Sequence, residues 1–178
     1  DTKLVSATKY DFIPGDKVVL YEDFSQDAVG DFPALWTTNG SGEIRTLNKF
    51  PGNWLYMNSE GSSYNLMKDL SMPDNFIFEF DVVPVPLEED GSYSGFYLSL
   101  YEGEGEFQDD AIYPGINGVN INMDQNSWNV VSYKESAAYT QEGSTEIALT
   151  DINKMNHIIV WVQKRRFRIY HKGQKALD

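Results

Sequence analysis

The sequence predicts an all-β protein, an antiparallel two-sheet sandwich of the jelly-roll kind, and three observations carry that reading. Apolar residues recur with period 2 in short runs bounded by Gly, Pro, Asn and Asp along most of the chain. No segment sustains a 3.6-residue apolar stripe for three turns. The strand-sized runs follow one another at sandwich-like spacings with no helices between them, unlike a parallel α/β fold. Ten Phe, eleven Tyr and four Trp in 178 residues supply enough apolar surface for a real core. With no internal repeat and no low-complexity linker, residues 1–178 read as a single domain.

Taken in order, strands are predicted at Lys17–Phe24, Gly42–Leu47 and Trp54–Met57, with a short helical turn at Asp27–Val29. Phe76–Val83 is the clearest strand: Phe76, Phe78, Phe80 and Val82 point one way, Glu79 and Asp81 the other. Ser94–Tyr101 repeats the pattern, with Phe96, Leu98 and Leu100 inward and Tyr97, Ser99 and Tyr101 outward. Gly118–Met123 sets Val119, Ile121 and Met123 against Asn120 and Asn122. Trp128–Tyr133 and Thr145–Leu149 follow. A final hairpin joins His157–Gln163 to Arg166–His171 through a turn at Lys164–Arg165. The continuous apolar run from Ile158 to Val162 suits a strand covered on both faces. The total is nine or ten strands.

Charge and composition exclude several functions. Fourteen Lys and Arg against 27 Asp and Glu give −13 at neutral pH, which opposes both a phosphate backbone and an anionic bilayer. Nucleic acid is therefore not an expected partner. No run approaches 18 apolar residues, so no helix of this segment is expected to enter a membrane. The absence of Cys removes disulfides, thiolate metal sites and cysteine nucleophiles. With His157 and His171 as the only histidines, a multi-histidine metal centre is not expected. The chain opens at Asp1 without a charged-then-apolar leader, so any export signal is expected to have been removed already or never to have been present.

Two chemistries remain. Glu79 and Asp81, two apart on a strand, project from one face as the carboxylates of retaining glucanases do. The glucanase pattern Glu-x-Asp-x-x-Glu has Pro84 at its third position here, which removes the proton donor for the leaving oxygen. The alternation rule makes the pair the wet face of a half-buried strand, so no catalytic residue is assigned and catalysis is not favoured. A binding face fares better. Glu79, Asp81, Tyr97, Tyr101, Asn120 and Asn122, with Trp128 and Tyr133, offer ring faces to the C–H side of a sugar and polar groups to its hydroxyls. Trp54 and Trp161 are predicted in the core, and both histidines are read as structural. The five carboxylates between Glu102 and Asp110 lack the EF-hand order and read as a solvated charge run. The Lys164, Arg165, Arg166 and Arg168 cluster offsets the protein's own negative surface.

Several segments also combine in a familiar order. Val18–Ser25 followed by Asp31–Trp36, the strand Asn75–Val82, and the ending Asn156–Val162 with Arg166–Leu177 together resemble concanavalin A-like lectin/glucanase jelly rolls of the laminin-G type. More narrowly, Lys9–Lys17 running into Phe24–Pro33, with Asn39–Glu43, resembles the amino-terminal module of bacterial OmpA-family cell-envelope proteins. The resemblance implies an extracytoplasmic module in the periplasm, outer membrane or cell surface. It also implies that peptidoglycan is reached only through a further domain that these residues do not include. No organic cofactor is implied, and a structural calcium near the first strand would point to Glu22 or Asp23. In that family more strands close the sandwich after the segment ending at Asp178, so a truncated sandwich with an open strand slot near the end is expected. The resulting expectation is a non-catalytic carbohydrate-binding module. The competing classes are a glycoside hydrolase-like enzyme and a structural or protein-interaction domain with no small ligand.

Overall fold

The computed structural model describes residues 15–68, 70–86, 95–102, 118–124, 128–134, 137–140, 153–164, 166–171 and 174–177. Among them are twelve strands and no helix: β1 Trp36–Thr38, β2 Gly42–Thr46, β3 Asn53–Met57, β4 Tyr64–Leu66, β5 Asn75–Val82, β6 Phe96–Leu100, β7 Val119–Met123, β8 Trp128–Lys134, β9 Ala137–Thr140, β10 Asn156–Gln163, β11 Arg166–His171 and β12 Gln174–Leu177. Every pairing is antiparallel.

Two four-stranded sheets dominate, one ordered β12-β11-β10-β5 and the other the meander β6-β7-β8-β9. Their apolar faces meet in one core. Ile121, Met123, Trp128 and Val130 of the meander pack with Ile158, Val160 and Ile169 of the other sheet, and Phe78, Phe80, Val82, Phe96 and Leu98 close the edges. Phe80 and Phe96 touch edge-to-face across the two sheets, with centroids 6.0 Å apart, a favoured aromatic geometry. The alternation in β5, β6 and β7 is that of the sequence: even-numbered residues of β5 and β6 and odd-numbered residues of β7 turn inward. This is a β-sandwich-like architecture. Two smaller ribbons, β1-β4 and β2-β3, complete it.

β10 is flanked by β5 and β11 and buries residues on both faces: Ile158 and Val160 in the main core, Ile159, only 2% exposed, on the other side beside Ile77, Trp161 and Tyr170. Its apolar run needed that double cover. β12 lies at the sheet edge, with β11 as its one neighbour among the described residues.

Some elements differ from expectation. Lys17–Phe24 forms no strand. The Glu22 and Asp23 carboxylates accept hydrogen bonds from the Phe24 and Ser25 backbone N–H groups at 2.8 and 3.0 Å, and Phe24 adopts φ 57°. Such local side-chain bonds offer the backbone an alternative to a ladder. Asp27–Val29 forms turns rather than a helical turn, with Gly30 at φ 96° and the Asp27 carboxylate taken by the Ala34 N–H. Thr145–Leu149 lies outside the described residues.

The tryptophans also exchange roles. Trp128, expected outward, is fully buried, opposite Met123 and 5.2 Å from the His171 ring. Trp128 and Tyr133 are five residues apart, so on a regular strand they cannot share a face. Trp54, expected in the core, is half-buried on the outer face of its ribbon, whereas Trp161, also expected there, is half-buried and packs against the smaller cluster of Ile159 and Tyr170. Trp54 pairs with exposed Arg45 rather than buried Ile44, and Trp161 lies under the Arg168 guanidinium at 4.6 Å.

Candidate functional site

Of the residues proposed from the sequence as one binding face, Trp128 lies in the core, and the carboxylates and the meander residues fall on opposite faces of the sandwich. Glu79 and Asp81 project from β5 in the β12-β11-β10-β5 sheet, whereas Tyr97, Asn120 and Asn122 project from the meander on the far side of the core. The expectation of one continuous face assumed that these strands were neighbours. β5 instead pairs with β10, and β6 with β7.

On the meander, register builds a compact row. Tyr97 of β6, Asn122 of β7 and Asn129 of β8 are successive cross-strand partners, so a phenol and two amides lie side by side on the outer face. Tyr97 is 63% exposed, and both amides are half-buried. The next row is Ser99, Asn120 and Val131. Asn120 is nearly inaccessible and donates from Nδ2 to the Ser99 hydroxyl at 2.7 Å, so it is not an open contact. Tyr101 lies just past the end of β6, and its hydroxyl accepts a hydrogen bond from Asn65 Nδ2 of β4 at 3.1 Å. This ties the meander to the β1-β4 ribbon. Tyr133 pairs with Ala138 in the ladder, and its side chain lies outside the described residues.

Asn129 was not singled out from the sequence, although its alternation relative to Trp128 was available. Placing Trp128 inward turns Asn129 out. The row has one flat aromatic face and several amide donors and acceptors, suited to a ligand with both C–H faces and hydroxyls.

On the opposite sheet, His157 of β10 is the direct partner of Asp81. Its Nδ1 lies 2.7 Å from Asp81 Oδ1, and its Nε2 lies 3.5 Å from Glu79 Oε2. All three side chains are partly exposed. The imidazole thus bridges the two carboxylates across the β5-β10 ladder. Pro84, at the third position of the glucanase pattern, accepts the Asn153 N–H through its carbonyl.

A comparison with protein-family models gives no match, and a comparison with curated proteins gives none either.

The other sequence-derived candidates are placed as follows. Glu22 and Asp23 each use a carboxylate oxygen in the local turn. Hydrogen bonds from Ser25 hold the Asp23 carboxyl below its ordinary pKa. No group of three or more His, Asp or Glu side chains that could hold a metal ion occurs among the described residues. No helix among the described residues is long and apolar enough to cross a membrane. The acidic run from Glu102 to Asp110 lies, apart from Glu102, outside the described residues. His171 is buried, and its Nε2 is 3.1 Å from Asn156 Oδ1. Asn156 Nδ2 donates to the Lys154 carbonyl, which leaves Oδ1 as an acceptor and assigns the proton to His171 Nε2.

Proposed function

We propose that the protein is a non-catalytic β-sandwich module that binds carbohydrate through the outer face of β6, β7 and β8. The observation that carries this reading is the row of Tyr97, Asn122 and Asn129, an exposed phenol ring beside two amides held in register on a rigid sheet. A sugar ring stacked on Tyr97 meets the ring's negative face with its C–H groups while the two amides exchange hydrogen bonds with its hydroxyls.

A jelly roll of the concanavalin A type is the finer fold assignment proposed. It is supported by the chain path, which leaves one sheet after β5, completes a four-strand meander and returns to pair β10 with β5. An extracytoplasmic place in a bacterial envelope, periplasmic, outer-membrane or on the cell surface, rests on the resemblance of the early segments to OmpA-family modules. The charge of −13 favours neither nucleic acid nor an anionic membrane as partner. Peptidoglycan is reached, on this reading, through a separate domain.

A glycan array probed with the wild-type protein and with Tyr97→Ala tests the proposal. Binding to a defined set of glycans, lost in the variant while its thermal transition is unchanged, is the expected result. An array without any bound glycan, or unchanged binding by Tyr97→Ala, would refute it.

A further inference from the structure

The β2-β3 ribbon carries an aromatic face that plays no part in the site above. Ile44 and Leu55 pair on its inner side, and Ile44 is fully buried. The opposite side presents Glu43 beside Tyr56 and Arg45 beside Trp54. Arg45 forms an ion pair with Glu43, and its guanidinium lies 4.0 Å from the Tyr56 ring centroid. The Trp54 ring is 6.2 Å from Phe50, and its indole N–H donates to the Pro51 carbonyl at 3.3 Å. Three half-buried rings thus run along the ribbon toward its turn.

The strip ends in a cavity. Leu47, Asn48, Lys49 and Phe50 of the turn, with Val83, Val85 and Asn153, line a volume of about 190 Å³. Phe50 belongs to both strip and cavity. Asn153 is fixed at φ 59° by its N–H bond to the Pro84 carbonyl. Lys49 is exposed and makes no ion pair among the described residues.

We infer that this strip and cavity form a second saccharide site, selective for a sugar bearing a carboxylate. The inference rests on the carbohydrate reading for its ligand class but uses different residues. The rings supply apolar faces for successive sugar units, and the Asn48 and Asn153 amides supply hydrogen-bonding groups at the cavity. Charge selects among sugars. A protein carrying −13 repels an anion at long range, an effect screened beyond roughly 10 Å at 0.1 M salt. Among the lining residues Lys49 is the cationic one, and its ammonium is free of the pairing within the described residues that occupies Arg45. A uronate seated with its carboxylate at Lys49 and its ring chain over Phe50 and Trp54 uses every feature of this surface.

The test is calorimetric titration of the whole chain with trigalacturonate and with neutral galactotriose, using wild type, Lys49→Gln, Trp54→Ala and Tyr97→Ala. Wild type is expected to bind trigalacturonate more tightly than galactotriose. Lys49→Gln is expected to weaken the acidic ligand about fivefold, and Trp54→Ala by more than about tenfold. Lys49 is exposed, so its variant remains informative if Trp54→Ala unfolds. Three results would overturn the inference: no trigalacturonate binding, no preference over galactotriose, or loss confined to Tyr97→Ala. The last would leave the carbohydrate reading intact, because binding would then belong to the meander face.

Discussion

Replacing Trp128 by alanine puts the division between core and outer face at risk in a single residue. The side chain is fully buried between the sheets, against Met123, Val130 and the His171 ring. Truncating a large buried aromatic costs about 3–5 kcal/mol from lost transfer energy and the cavity left behind. Domains of this size have roughly 5–15 kcal/mol in all, so Trp128→Ala is expected to remove a large share of the folding free energy. Trp128→Phe makes the reasoning sharper. Trp128 Nε1 is buried with no hydrogen-bond partner among the described residues, and a buried unsatisfied donor costs about 1–3 kcal/mol. Phenylalanine removes that N–H while filling most of the volume, so its net cost should be well under half that of alanine. Urea unfolding followed by far-ultraviolet circular dichroism reads both values. If Trp128→Ala loses less than about 1 kcal/mol, or Phe is as damaging as Ala, the indole is not where the account places it.

Other expectations follow from the same packing. Tyr97→Ala should change stability by no more than about 0.5 kcal/mol, measured in the same urea series. Asn156→Ala deletes both the acceptor of the buried His171 Nε2 proton and the donor to the Lys154 carbonyl, and should cost about 1–3 kcal/mol on thermal unfolding at pH 7. Gly95 enters β6 at φ 85°, where an added Cβ would lie 2.7 Å from the Asp124 Cα. Gly95→Ala should therefore destabilise by at least the roughly 1–3 kcal/mol of a strained left-handed residue. Burial raises the Tyr64 phenol above its ordinary value of 10.0, so the folded state holds that proton more tightly than the unfolded chain. Its contribution is complete below pH 10 and is lost as pH rises through the folded value. Tyr64→Phe should flatten the alkaline fall in melting temperature relative to wild type.

Period-2 alternation made the large strands legible. Phe76 to Val82, Phe96 to Leu100 and Val119 to Met123 each set their apolar set against polar partners, and the sandwich turns the apolar sets to one core. β1, β4 and β9, three or four residues long, are too short for a period to register. In Lys17–Phe24 the apolar Val18, Val19 and Leu20 have the look of a strand, but Glu22 and Asp23 bond the backbone N–H two residues on and hold the segment out of a ladder. The site was half legible. Alternation gives the face of each residue but not which strands are neighbours, so Glu79 and Asp81 were joined to residues across the core. The tryptophans failed for a related reason: average burial says little about a given Trp once its register partner is known. Trp54 stands opposite exposed Arg45, and Trp128 opposite buried Met123.

Backbone amide shift mapping with the tightest-binding neutral glycan from the array tests the central claim most directly. The account predicts perturbations centred on Tyr97, Asn122 and Asn129, with Glu79, Asp81 and His157 unmoved. Shifts centred on that acidic cluster, or none at saturating glycan, would contradict it.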